Sequence, residues 1–232
     1  MSTSTNKYLL IPDFLGNLKE CIYLYQQDGF LSFYEIAKQR LKIASNMQSY
    51  DFNTFKFWNN LNMFTLDSIL FHPNGNIKIS YDSQRLGKID LNSQIDEQSN
   101  GLIIEDVIYE KVQGLELTRT EALKYCGPES SKLSITSNPI WLTFFNNDKK
   151  LLEMYFEYVK KKHPTNKCME ILLLKESPKQ TVEKPLFATS PKNGNRLLFT
   201  EIIGLESYLN TGVLIPKQKK DERIETKLQY IA

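Results

Sequence analysis

LDSILFHPNGNIKIS, residues 66–80, decides the reading of the fold, because two β-type runs flank a turn signal there. Ser68–Phe71 and Ile77–Ser80 lie either side of Pro73, Asn74 and Gly75, and Asn-Gly between apolar runs is the short-range mark of a hairpin. Upstream, Ser32 and Glu35 make a capping box, and Phe33, Ala37, Leu41 and Ala44 share one stripe beside Ile36, Ile43 and Met47, so a helix is predicted over 32–50. The Asn-rich aromatic stretch DFNTFKFWNNLNMFTL, which begins at Asp51, joins that helix to the hairpin. Further back, Tyr8–Ile11 is β-like, and Leu18, Ile22 and Tyr25 mark a short helix ended by Gly29.

Downstream, residues 81–99 are polar and read as an irregular surface segment. The run 101–113 stays open between helix and strand, since its Ile, Val and Tyr content favours one and its spacing the other. Thr118 or Thr120 caps a short helix to Cys126, and Asn147 and Asp148 cap a longer one whose Leu151, Leu152, Tyr155, Phe156 and Val159 face inward. CMEILLLKE, from Cys168, reads as a helix or a strand. The expected architecture is mainly α with one small β-hairpin. Residues 1–175 form the helical domain, 176–196 a Pro-rich linker or surface excursion, and 197–232 an extension of a strand plus a helix or arm.

The 232 residues are 41% hydrophobic, which is enough apolar surface to offset the entropy of ordering the chain. A balance of 29 Lys and Arg against 27 Asp and Glu lacks the basic excess that a phosphate backbone attracts, so nucleic acid is disfavoured as the main partner. Cys21, Cys126 and Cys168 are odd in number and widely spaced, so they write neither a disulfide framework nor a zinc site. The N-terminal run is broken by Pro12 and Asp13 and no segment reaches membrane-spanning length, so a soluble protein of the reducing cytoplasm is expected.

No nucleophile elbow, phosphate-binding loop or metalloprotease motif occurs, and neither a metal nor a cofactor is expected. His72 and His163 each precede a proline and read as turn residues. An ordered series of segments nevertheless resembles the C-lobe of a eukaryotic-type protein kinase. NKYLLIPDFLGNLKE is similar to the end of the N-lobe and the hinge, and the capped helix 32–50 to the long central helix. LDSILFHPNGNIKIS resembles the hairpin that leads to the metal-binding Asp, and LLEMYFEYVKKKHPTNKCMEILL the closing helix pair.

The resemblance covers residues 7–174 and implies a degenerate lobe. Met63 stands at the position of the catalytic Asp, Thr65 at that of the Lys, Ser68 at that of the metal-holding Asn and Tyr81 at that of the metal-binding Asp, with Asp82 one residue late. A chain that begins at the hinge also lacks the glycine-rich loop, so phosphoryl transfer is not expected. The implied function is that of a pseudokinase-like, noncatalytic scaffold or protein-interaction subunit of a larger cytoplasmic assembly, with no small-molecule substrate. Phe55, Phe57, Trp58, Lys217, Lys219, Lys220 and Arg223 are its candidate partner contacts. Two rivals stand beside it. One is an enzyme whose His72, Asp67 and Asp82 converge around the hairpin at 67–82; the other is a nucleic-acid accessory protein using the basic C-terminal segment.

Overall fold

The structure is a computed structural model that describes residues 8–11, 31–46, 58, 62–80, 95–96, 101–126, 134–162, 169–171, 173, 176–188, 195–198 and 211–216. In chain order the strands are β1 (Tyr8–Ile11), β2 (Asn62–Phe71), β3 (Ile77–Ser80), β4 (Ile95–Asp96), β5 (Gly101–Ile103), β6 (Leu115–Leu117), β7 (Met169–Ile171), β8 (Val182–Ala188), β9 (Asn195–Leu198) and β10 (Thr211–Pro216). The helices are α1 (Phe33–Ser45), α2 (Asp106–Lys111), α3 (Arg119–Cys126), α4 (Pro139–Phe144) and α5 (Lys149–Lys162), with a 3-10 turn at Ile135–Ser137.

The hairpin forms where the sequence places it. Phe71 pairs with Ile77 and Ser68 with Ser80, and Gly75 takes a φ of 94° that a side chain would resist. That hairpin is not an isolated ornament on a helical lobe. β6, β3, β2, β8, β5 and β4 follow one another in an antiparallel sheet. At the far end of β2, β10 adds in parallel and carries β1, while β9 joins β8 and brings β7. The mainly-α kinase C-lobe expectation is therefore wrong: among the described residues ten strands join in a single sheet with helices packed against it.

Two stretches account for the error. Residues 176–196, expected as a linker or surface excursion, supply β8, which lies between β2 and β5 with Thr181, Val182, Glu183, Lys184 and Leu186 all buried. Val182–Ala188 holds alternating inward residues that Pro185 disguised, since a proline in a run usually argues against an interior strand. The second stretch, 101–113, is both readings in succession. Gly101–Ile103 is an interior strand, and Asp106–Lys111 is a one-and-a-half-turn helix.

Where helices were expected from caps, they form. Ser32 Oγ accepts from the Glu35 amide while the Glu35 carboxylate accepts from the Ser32 amide at 2.9 Å. Thr118 and Glu121 repeat the exchange at α3, and Asp148 accepts from the Leu151 amide at α5. Phe33 on α1 then packs edge-on to Phe145 and Tyr155 and tilted to Trp141, at 5.5–5.7 Å between ring centroids. These rings press on Ile69, Phe71, Ile77, Ile79, Val182 and Leu186, which share one face of the sheet. Alternation sends Leu70 to the other face, where it meets Tyr109 and Val112 in a smaller cluster.

Candidate functional site

β2 carries the three degenerate positions that fall on described residues. The side chain of Met63 lies outside the described set; its backbone pairs with Ala188 and Gly212. Thr65 is buried, donating to the Leu186 carbonyl at 3.1 Å and accepting from the Asp67 amide. Ser68 is also buried and donates to Glu183 Oε1 at 2.5 Å. Both hydroxyls thus tie β2 to β8, a structural use rather than the catalytic geometry of a kinase loop. Tyr81, Asp82, Phe55, Phe57, Lys217, Lys219, Lys220 and Arg223 lie outside the described residues. Trp58 is 4% exposed, and its carbonyl accepts from Arg40 Nε at 2.9 Å, so its ring is a core element and not an exposed anchor.

Asp67 and His72 are not brought together. Asp67 is fully buried on β2 against the start of α1, where Oδ2 accepts from the Phe33 amide at 2.6 Å and Oδ1 has no partner among the described residues. Burial, against the hydrogen bonds from Phe33 and Thr65, pushes its carboxyl up to about 7. His72 sits at the hairpin end. Nδ1 accepts from the Asn74 amide at 3.3 Å, and Nε2 lies 3.6 Å from Asp106 Oδ1. Asp106 also accepts from the Thr181 hydroxyl, so one carboxylate pins the hairpin, α2 and the approach to β8.

Lys78 completes this end of the molecule. Its ammonium donates to the Tyr109 carbonyl at 2.9 Å, lies 4.3 Å from the centre of the Tyr109 ring and pairs with Glu116 at 3.3 Å. Burial alone would raise the Glu116 carboxyl; Lys78, with Asn76 and the Tyr109 hydroxyl, outweighs it and holds the group below its ordinary value. Burial and the Glu116 charge push the Tyr109 phenol well above its usual range. Among the described residues no group of three or more His, Cys, Asp or Glu side chains is placed to hold a metal, and no helix is long and apolar enough to cross a membrane.

A different surface is open. Between α1 and α5 runs a groove of about 610 Å³, walled by Leu41, Ala44 and Ser45 on one side and by a stripe of α5 from Lys150 to Lys161 on the other. Met154 stands 51% exposed in it. The stripe at 150, 153, 154, 157, 158 and 161 follows the i, i+3, i+4 spacing of one helical face. Tyr158 also lines the groove; its hydroxyl is shielded and has no hydrogen-bond partner among the described residues, and burial raises the phenol to about 12. Helical periodicity in α5 was legible in the sequence, but the groove was not, because it depends on where α1 lies beside it.

No family model and no curated protein matches the chain. Among solved structures it is similar to one described as the accommodation of massive sequence variation in Nanoarchaeota by the C-type lectin fold. The TM-score is 0.55 at 10% sequence identity, over 90% of this chain and 94% of the other. The arrangement of strands and helices therefore resembles a C-type lectin fold, and this likeness overturns the pseudokinase and kinase-like reading.

Proposed function

We propose that this chain is a noncatalytic protein-interaction module, a subunit of a larger assembly, built on a C-type-lectin-like frame. The observation that carries the reading is the α1/α5 groove, an apolar-floored channel with a half-exposed methionine and charged rims on the surface of a well-packed helix pair. The neighbour's description supports it: a fold said to accommodate massive sequence variation can present different surfaces on one frame. At 10% identity this chain would present a surface of its own. A cytoplasmic setting belongs to the same proposal.

The test uses the full chain as bait in native lysate beside its Met154→Arg variant. Met154 is exposed, so the variant is expected to keep the wild-type circular dichroism and thermal midpoint. A stoichiometric partner held by the wild type and lost by the variant is the expected result. Equal retention by both chains, or no partner for either, would overturn the reading.

A further inference from the structure

Four charges rim the groove in the order Lys150, Glu153, Glu157, Lys161, and none is ion-paired within the chain among the described residues. Glu153 and Glu157 are one turn apart, a like-charge spacing that a helix tolerates at some cost. Glu157 and Lys161 have the spacing for an intrahelical pair, yet do not make one. A positive, negative, negative, positive series thus runs along about 16 Å of helix beside an apolar floor of Leu41, Ala44 and Met154.

We infer that the groove takes an amphipathic helix of another protein, carrying two cations at its centre and an acidic residue at each end. This inference rests on the proposed interaction role and names the chemistry of its partner. Two adjacent helices leave a trough into which the ridge of a third fits, and anchors at i, i+3, i+4 and i+7 are the mode by which such troughs are filled. The apolar stripe of the incoming helix covers Leu41, Ala44 and Met154. Its central Lys or Arg pair lies between Glu153 and Glu157, and its terminal carboxylates meet Lys150 and Lys161. Because the rim series reads the same in both directions, it selects the charge order without fixing the orientation of the partner.

Two synthetic peptides of identical composition and zero net charge test this. Each is a three-turn Leu/Ala helix whose polar positions read Glu-Lys-Lys-Glu in one and Lys-Glu-Glu-Lys in the other, so general attraction to a charged or apolar peptide cancels. Fluorescence anisotropy with the full-length chain is expected to show the first bound about tenfold more tightly than the second. The variant combining Lys150→Glu, Glu153→Lys, Glu157→Lys and Lys161→Glu is expected to reverse that preference. Equal binding of the two peptides, lost in Met154→Arg, would overturn the charge assignment while leaving the groove as the binding surface. Failure of both peptides to bind would overturn the helical partner. Peptide binding that survives Met154→Arg would overturn the groove itself.

Discussion

At the hairpin end His72 faces Asp106, and Lys78 is held by Glu116, the Tyr109 carbonyl and the Tyr109 ring. Along the α1/α5 groove, Lys150, Glu153, Glu157 and Lys161 have no such partners among the described residues. The first set lies on and beside the sheet face opposite the helical core, where Lys78 is 5% exposed and an unmatched charge would be costly. The second set lies on solvated helix walls, where charge contributes little to folding. Polar residues at the hairpin end are therefore accounted for by stability, and those on the groove are not, which is why the groove is read as the working surface.

The largest loss is expected at Phe33, whose core cluster holds Phe71 and Ile77 of the hairpin as well as Leu152, Tyr155 and Val159 of α5. Phe33 starts α1, packs on Trp141, Phe145 and Tyr155 and gives its amide to Asp67. Phe33→Ala is expected to cost about 3–5 kcal/mol in urea unfolding and to disorder both regions together. Next in size is a pH effect at Asp67. Its folded carboxyl is pushed up to about 7 while the unfolded one keeps its ordinary value of 3.8, so between those pH values the folded chain holds a proton that the unfolded chain has lost. The stabilisation is full below about pH 4 and fades as pH rises through 7. Asp67→Asn keeps an oxygen for the Phe33 amide and removes the titration. It is expected to flatten the stability profile and to gain about 2 kcal/mol at pH 8, roughly half the limit set by a shift of that size.

Smaller effects sharpen the contrast. Lys78→Met keeps the buried stem but withdraws the ammonium from the Tyr109 carbonyl and from Glu116, at an expected cost of about 1–2 kcal/mol. Thr118→Ala removes the α3 cap beside that region, for about 1 kcal/mol by thermal unfolding. The same Lys-to-Met exchange at Lys161, in the groove, is expected to change stability by less than about 0.5 kcal/mol. A comparable loss at Lys161 and Lys78 would remove the distinction between committed and free charge.

Local signals were readable in proportion to how local their causes are. The Ser32–Glu35 box, a threonine cap at Thr118 or Thr120, a cap at Asn147 and Asp148 and the turn at Asn74-Gly75 were legible because each is closed within a few residues. The sheet was not, because strands such as Gly101–Ile103, Leu115–Leu117 and Met169–Ile171 are three residues long and owe their form to distant neighbours. Val182–Ala188 was hidden by Pro185, and Asn62–Leu66 by an Asn-rich approach that conceals the start of β2. Once those strands were missed, amphipathic helices around a hairpin looked like a kinase lobe. Asp67 was singled out from the sequence, but its burial at the start of α1 follows only from a contact 34 residues away.

The most direct measurement is hydrogen–deuterium exchange on the full chain, alone and saturated with the partner that it captures. Protection concentrated in residues 41–45 and 150–161, with 72–76 and 106–111 unchanged, is expected if the groove holds the partner. Protection at the hairpin end and α2, with the groove helices exchanging as before, would contradict it.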